Sequence, residues 1–202
     1  MASRAIAWVK ERFGPGAEFA DVVIEGRRLA ASGVAIGSAP IAYRLDYQLE
    51  TYEDFITSGL LVTTRGEGWS RHLDLRRSPS GGWTIRTETE GFLALPEPGG
   101  DEAEISEALD CDLGLSPLTN SMPVLRHGLQ NGGGPLDFLM AWVSVPDLAV
   151  YAIRQQYRFV RNRGKAAIVR YRSLGSNFTA DLSFDADGLV IDYPGIGRRI
   201  GD

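Results

Sequence analysis

Two aspartates in a short apolar segment are the residues of this chain best suited to chemistry. They are Asp110 and Asp112 in the run Leu109-Asp110-Cys111-Asp112-Leu113. In a strand both carboxylates would share one face, and Cys111 would lie on the other face as a buried, unreactive thiol. Neighbouring like charges repel, so we expect a partner such as Arg126, another arginine, or solvent. The functional alternatives are hydrogen bonds to ligand hydroxyls or a bound cation.

The histidines offer little catalytic or metal-binding potential. His72 shares a predicted strand face with Ser70 and Asp74, so we expect it to face solvent. His127 falls at the end of a predicted helix, where a protonated imidazole interacts favourably with the helix dipole. Two histidines and one cysteine make a zinc site hard to build, and the common nucleotide-binding and hydrolase motifs are missing. We predict a noncatalytic protein without cofactor or metal. A hydrolase that uses Asp112 or His127 is the catalytic alternative.

Charge is unevenly distributed along the chain, although the net charge is only -5. An acidic stretch, residues 88–112, contains no lysine or arginine, and a basic stretch, residues 148–180, contains no acid. We expect the two stretches to face each other in the fold or across a dimer. The alternative is that the basic stretch binds an anionic headgroup. The negative net charge and the lack of a ribonucleoprotein motif argue against a nucleic-acid partner.

Aromatic residues alternate with arginines in the basic stretch, and strand register decides their role. With an odd number of turn residues the arginines would share one face and the aromatics the other, whereas an even number would mix the two sets. We predict that the aromatics belong to the core. The residues concerned are Arg154, Arg158, Arg170 and Arg172 in one set, and Tyr157, Phe159 and Tyr171 in the other.

The elements that must position these residues are mainly strands. Short apolar runs with period-two alternation are separated by turns rich in Gly, Asn and Asp, which predicts a long antiparallel meander. The predicted strands are 18–25, 28–36, 43–51, 56–64, 69–76, 83–88, 136–145, 166–171, 178–184 and 189–193. Residues 150–160 have helical spacing of apolar residues but β-favouring composition, and we favour a strand.

A single helix is predicted over about 116–127. Ser116 is suited to cap it, Pro117 suits its first position, and Gly128 is suited to end it. Pro123 would kink this helix or divide it in two.

Length and composition predict one domain spanning residues 1–202. The hydrophobic fraction of 44% and the charged fraction of 23% are typical of globular proteins. No apolar run approaches the length of a membrane span, so we expect no stable membrane insertion. Charged residues near the N-terminus interrupt any secretory signal, and the lone cysteine excludes an internal disulfide, so we expect a cytoplasmic protein.

Several motifs resemble a family of bacterial glycolipid-binding proteins. The longest runs from Leu109 to Arg126 and reads LDCDLGLSPLTNSMPVLR; others are Gly14-Pro15-Gly16-Ala17-Glu18, Tyr43-Arg44-Leu45-Asp46-Tyr47, Gln155-Gln156-Tyr157, Arg170-Tyr171-Arg172-Ser173 and Tyr193-Pro194-Gly195. The resemblance implies an all-β fold, a spiral β-roll in which one long antiparallel sheet coils around a short central helix. It also implies a homodimer and binding of a glycolipid or another amphipathic molecule.

Our leading hypothesis is a noncatalytic binding module with an apolar cavity inside the curled sheet. The alternative is a homodimeric scaffold without a small-molecule ligand. The candidate ligand-binding residues are the polar groups Asp110, Asp112, Asn120, Arg126, Tyr157 and Arg170, and the apolar walls Trp142 and Tyr171.

Overall fold

The protein folds as one curled sheet of 14 strands, as seen in a computed structural model. The structure describes residues 2–10, 12 and 14–201. The strands are β1 (Ala2–Lys10), β2 (Gly16–Glu25), β3 (Arg28–Gly37), β4 (Tyr43–Thr51), β5 (Thr57–Gly66), β6 (Trp69–Arg77), β7 (Trp83–Gly91), β8 (Asp110–Leu113), β9 (Leu136–Val143), β10 (Val150–Arg163), β11 (Ala166–Ser173), β12 (Thr179–Phe184), β13 (Val190–Tyr193) and β14 (Gly197–Ile200). The predicted all-β fold is confirmed.

The strand order shows how the chain forms a roll. The order is β7-β6-β5-β4-β3-β2-β1-β14-β13-β12-β11-β10-β9-β8, so two meanders join where β1 pairs with β14. The crossing segment, residues 92–109, leads from β7 at one edge of the sheet to β8 at the other. The buried guanidinium of Arg71 holds this segment by donating to the carbonyls of Pro96 and Leu93. Because the two edge strands do not pair with each other, the sheet stays open.

Strand β8 departs from the predicted meander because it pairs with β9 in parallel. The crossing segment delivers β8 to the sheet from the opposite side, and this long-range connection leaves no local sequence signal. All four residues of β8 are buried. Cys111 and Leu113 contribute to one hydrophobic core with the leucines of β4, β5 and β6.

The helix lies inside the roll. Helix α1 (Ser121–His127) follows a 3-10 helix at Leu118–Asn120, and Gly128 ends it in the left-handed conformation, as predicted. Its Met122 packs into the first core and its Val124 into a second core with β10 to β13. The helix therefore joins the two cores.

Two details of the predicted helix are wrong. Ser116 makes no capping bond, because its hydroxyl donates instead to the buried Glu18 carboxylate over 2.6 Å. Pro123 does not divide the helix, because it lies in the first turn of α1, where the missing N–H has no intrahelical acceptor. The change from 3-10 to α-helix occurs earlier, at Ser121.

Strands β1 and β14 lie outside the predictions. Alanines and charged residues weaken the apolar alternation of Ala2–Lys10, and Gly197–Ile200 is short and begins at a glycine. Both strands are stabilised by pairing over long sequence separation. The pairing of β1 with β14 joins the two meanders in the middle of the sheet.

The register of β10 and β11 separates arginines from aromatics. Tyr157 lies opposite Tyr171 in the interior, and Arg158 lies opposite Arg170 on the exposed face. The turn itself, Gly164 and the residue after it, has an even number of residues. A bulge beside Phe159 shifts the register by one and restores the separation predicted for an odd turn. The prediction of core aromatics is confirmed for the two tyrosines.

The acidic and basic stretches do not form the expected ion pairs with each other within the described residues. Asp110 of the acidic stretch pairs with Arg126, and Arg170 of the basic stretch pairs with Asp181. The stretches meet instead through the neutral Gln155, whose amide donates to Asp112 over 2.6 Å. Their pairing across a dimer stays a prediction.

A glycine on β3 leaves room for the ring of a tyrosine on the neighbouring strand β4. Gly33 lies opposite Tyr47, and a Cβ at this position would lie far inside van der Waals contact with the ring. The Tyr47 hydroxyl donates to Glu18 over 3.0 Å, and Glu18 also pairs with Lys10 and accepts from Ser116. This buried network fixes the loop before α1.

We expect Gly33→Ala to lower the free energy of unfolding by about 2 kcal/mol, because the anchored Tyr47 ring has little freedom to move away. Urea unfolding measures the change. Ser32→Ala, at the neighbouring exposed position, should alter stability by less than about 0.5 kcal/mol. Equal stability of Gly33→Ala and the native protein would contradict the packing argument.

Candidate ligand cavity

An open cavity of about 1130 Å³ lies between the crossing segment, β8 to β11 and the turn after β11. Its volume exceeds the roughly 300–1,000 Å³ of typical ligand sites. It is lined by Ala103, Glu104, Ser106, Glu107, Asp112, Leu113, Gly114, Leu115, Ser116, Asn120, Leu139, Trp142, Ala152, Ile153, Arg154, Gln155, Tyr171, Ser173, Leu174, Gly175, Ser176, Phe178, Tyr193 and Ile196. The space between these elements is therefore large enough for a ligand and is open to solvent.

The cavity walls are largely apolar and are built by period-two strands. Trp142 on β9 and its neighbour Tyr151 on β10 lie on the same face of the sheet, and their ring centroids are 6.0 Å apart. Tyr171 makes edge contacts with Phe178, at a centroid distance of 5.9 Å, and lies 5.7 Å from Tyr193. Such packed rings form a rigid apolar surface.

A network of buried polar side chains forms what we call the polar floor: Asp112, Thr119, Asn120, Gln155 and Tyr157. Asp112 accepts hydrogen bonds from the Thr119 hydroxyl at 2.8 Å and from the Gln155 amide at 2.6 Å. The Tyr157 hydroxyl lies 2.8 Å from the Asn120 carbonyl oxygen and 3.0 Å from that of Gln155. Of these five residues, Asp112, Asn120 and Gln155 line the cavity.

Burial dominates the ionisation of the floor. It raises the pKa of Asp112 to about 6, although the hydrogen bonds from Gln155 and Thr119 act in the opposite direction. Both of these donors are neutral. Burial and the nearby Asp112 charge also raise the pKa of the Tyr157 hydroxyl well above its usual range, so that tyrosine stays protonated.

The outer part of the cavity carries charged residues of both signs. Glu104 and Glu107 of the crossing segment are exposed there, as is Arg154 of β10. Acidic lining residues therefore outnumber the basic one even before Asp112 is counted.

The structure brings together half of the predicted site residues. Asp112, Asn120, Trp142 and Tyr171 line the cavity. Tyr157 lies directly behind them and holds the Asn120 side chain. Their contact with a ligand stays a prediction.

The other three predicted site residues lie outside the cavity lining. Asp110 forms a buried ion pair with Arg126, and burial raises the pKa of Asp110 to about 6 despite that partner. Arg170 lies on the exposed face of β11, where its guanidinium donates twice to Asp181, at 2.7 and 2.9 Å. The predicted partner of Asp110, Arg126, is confirmed, but both residues stabilise the interior behind the floor.

Sequence reasoning missed several lining or floor residues. Gln155 and Thr119 hold Asp112, Tyr193 completes the aromatic wall, and Glu104 and Glu107 lie at the outer part. The signals for Gln155 were its place in the Gln155-Gln156-Tyr157 motif and its position on the same strand face as Tyr157. Tyr193 and the two glutamates reach the cavity through long-range topology.

Two of the remaining reactive side chains are Cys111 and His127. Cys111 is buried as predicted, and burial raises the pKa of its thiol to about 12. His127 does end α1, but burial, Arg126 and Arg27 lower the pKa of its imidazole, which disfavours the protonated form. Within the described residues, no group of three or more His, Cys, Asp or Glu side chains is placed to hold a metal ion.

A curled sheet that leaves an apolar cavity above a polar floor has the architecture of a binding module. The chain belongs to the family described as "Putative glycolipid-binding", which matches residues 5–199. It is similar to a crystal structure of a DUF1089 family protein from Pseudomonas aeruginosa, with 27% identity, a TM-score of 0.68, and coverage of 91% of this chain and 92% of that chain. No curated protein matches. None of the helices in the described part of the chain has the length and hydrophobicity needed to cross a bilayer.

We expect Asp112→Asn to raise the free energy of unfolding by about 2 kcal/mol at pH 7.5. The pKa of Asp112 is higher in the folded chain, about 6, than the roughly 3.9 of an unfolded chain, so ionisation of Asp112 lowers stability as the pH rises from about 4 to about 6, and the loss is complete above that range. The gain should shrink as the pH falls toward 4, because Asp112 then becomes neutral by itself. Urea unfolding at pH 7.5 and 4.5 measures both values.

The exposed substitution Asp21→Asn is the control for the loss of one negative charge and should leave stability nearly unchanged. A lower stability of Asp112→Asn at pH 7.5 would show that the carboxylate is favourable in its buried position.

Proposed function

We propose that this protein is a noncatalytic binding module for one amphipathic molecule, with a glycolipid as the leading candidate. The apolar part of the ligand would lie against Trp142, Tyr171 and Phe178, and its headgroup would reach Asp112 and Asn120. The observation that carries this proposal is the cavity of about 1130 Å³ between apolar walls and a polar floor. The family description agrees with it.

The energetics of the cavity suit an amphipathic ligand rather than a polar one. Each Å² of apolar surface removed from water contributes about 25 cal/mol, so an alkyl chain placed along the aromatic wall would supply most of the affinity. The hydrogen-bonding groups of the floor would orient the headgroup. A purely apolar ligand would exclude water from the floor without offering a hydrogen bond in its place, which costs free energy.

The chemistry of the cavity supports the proposed noncatalytic role. A nucleophile needs a base within hydrogen-bond distance, but both oxygens of Asp112 are engaged by Thr119 and Gln155. The thiol of Cys111 is buried in the first core and holds its proton at neutral pH. We also propose that residues 1–202 form one domain. A cytoplasmic location stays a prediction that rests on the lone cysteine and the charged N-terminal residues.

We expect Ile153→Trp to abolish binding of octyl glucoside, because a bulky side chain at this half-buried lining position, on the same strand face as Gln155, would occupy the space above the floor. Isothermal titration calorimetry below the critical micelle concentration measures the affinity. Ala30→Trp, on the exposed face of β3, is the matched control and should bind like the native protein.

Far-UV circular dichroism and urea unfolding verify that both variants fold. Equal affinity of the folded Ile153→Trp variant and the native protein would exclude the cavity as the binding site.

The second candidate function, self-association as a homodimeric scaffold, is favoured by an apolar patch on the outer face of the sheet. Phe19, Ile36 and Ile200 are 42%, 54% and 54% exposed. They are neighbours through Ala7 and Ala17 across β14, β1, β2 and β3. A twofold axis through this patch would bury the same side chains on both copies.

Sedimentation velocity is expected to show a dimer that Ile36→Lys converts to a monomer. Ser32→Lys, on the same face of β3, is the control for the added charge. A native protein that stays monomeric at 100 µM, a concentration on the order of that used to exclude weak dimers, would remove the dimer proposal.

A further inference from the structure

We propose that the polar floor has one hydrogen-bond donor too few for its acceptors, and that the ligand headgroup is a neutral polyol whose hydroxyl group supplies the missing donor. This inference rests on the proposed function, because it names the headgroup class of the same cavity. It also predicts that anionic headgroups are rejected.

The shortage follows from the Tyr157 hydroxyl. This group has one hydrogen, yet it lies within hydrogen-bond distance of two carbonyl oxygens, 2.8 Å from Asn120 Oδ1 and 3.0 Å from Gln155 Oε1. Only one of the two oxygens can receive the hydrogen at a time. The other faces the lone pairs of Tyr157.

The amide orientations do not remove the shortage. Gln155 Nε2 donates to the Asp112 carboxylate over 2.6 Å, so rotating this amide would place Oε1 against a negative charge. Asn120 Nδ2 faces the Ser116 carbonyl at 3.4 Å, and rotation would again oppose two oxygens. Both amides are therefore held with their carbonyls toward Tyr157.

Thr119 has no spare hydrogen either. Its hydroxyl donates to Asp112 Oδ1 over 2.8 Å, and its oxygen accepts the backbone N–H of Leu113 at 3.2 Å. An acceptor left without a hydrogen in a buried site is unfavourable, so an incoming donor gains more there than at a solvated surface.

A ligand in the cavity has direct access to Asn120, one of the two carbonyls that share the Tyr157 hydrogen, and to Asp112, whose carboxylate oxygens can each accept a further hydrogen bond. Asn120 and Asp112 both line the cavity and retain 3% and 7% exposure. A ligand hydroxyl that donates to Asn120 Oδ1 would release the Tyr157 hydrogen to Gln155 Oε1, and a second hydroxyl would reach Asp112. Tyr157 itself is 0% exposed and does not contact the ligand.

The charges around the cavity disfavour anionic headgroups. Asp112 is held by the neutral donors Thr119 and Gln155, so its negative charge is not cancelled by them. Glu104 and Glu107 add negative charge at the outer part of the cavity, against the single Arg154. A phosphate or sulfate headgroup would bring acceptors and negative charge to a floor that already has an excess of both.

The test compares three amphiphiles with the same eight-carbon tail at pH 8: octyl glucoside, octyl dimethylamine oxide and octyl phosphate. Only the glucoside carries neutral hydroxyl donors. Calorimetry below the critical micelle concentration is expected to give an affinity for the glucoside at least tenfold higher than for either of the others. Methyl glucoside, which has the headgroup without the tail, should bind at least tenfold more weakly than octyl glucoside.

Asp112→Asn is the decisive variant because its amide brings its own hydrogen to the floor. The amide introduced at this position can donate to a rotated Gln155, whose amide then donates to Tyr157, and Tyr157 donates to Asn120. The tenfold preference for the glucoside should fall to threefold or less. Asp21→Asn, an exposed substitution on β2 with the same change in charge, should keep the full preference.

A second variant works in the opposite direction. Tyr157→Phe removes the one shared hydrogen and leaves both carbonyls without a donor, so the preference for the glucoside should persist or increase. This variant keeps the inference testable if Asp112→Asn does not fold, which urea unfolding would reveal.

The outcomes separate the two proposals. Absence of binding by every eight-carbon amphiphile would overturn the proposed function, and this inference with it. Binding of all three with similar affinity, or tightest binding of octyl phosphate, would retain the amphiphile-binding cavity and overturn the headgroup assignment. Equal affinities of methyl and octyl glucoside would assign the floor to free sugars instead of glycolipids.

Discussion

The burial of two carboxylates on a four-residue strand is the constraint on which the interior depends. Strand β8 lies inside the roll with every residue buried, and Asp110 and Asp112 sit on its helix-facing side. Moving a carboxylate out of water is unfavourable by several kcal/mol unless hydrogen bonds or a counter-charge compensate. Helix α1 must therefore place Arg126 against Asp110, and β10 must place Gln155 against Asp112. The positions of the helix and of the second meander follow from these two requirements.

The two carboxylates are compensated differently, and the difference gives the interior its polarity. Asp110 has a charged partner, so the side of the floor that faces α1 is closed by an ion pair. Asp112 has only neutral donors, so its charge acts on whatever enters the cavity beside it. A second buried ion pair, between Lys10 and Glu18, holds Ser116 at the edge of the same loop. The polar groups of the cavity are thus fixed by interactions that lie behind them, which is how a binding site keeps its shape without a ligand.

Local sequence patterns predicted what depends on neighbouring residues and missed what depends on distant ones. Tyr43–Thr51 matches its predicted bounds in full, because apolar and polar residues alternate along it, whereas the parallel pairing of β8 with β9 forms only when the whole sheet assembles. In the site, Asp112 was predictable as a polar residue within an apolar run, since such residues are either paired or functional. Gln155 was missed because a glutamine in a strand gives no sign of which carboxylate it will meet. Arg170 was misplaced because a basic residue among aromatics fits a binding site and an exposed strand face equally, and only its partner, Asp181, decides between them.

The polar floor gives a physical reason for the open cavity beside it. Larger apolar side chains could fill the space above Asp112, but they would remove its remaining access to a polar partner and make its burial more unfavourable. A large cavity with polar groups on one side favours occupation by molecules that form hydrogen bonds, whereas a purely apolar void can stay empty. Affinity and selectivity are therefore assigned to different surfaces of the same cavity. The aromatic walls favour any alkyl chain, while the floor discriminates among the groups attached to it.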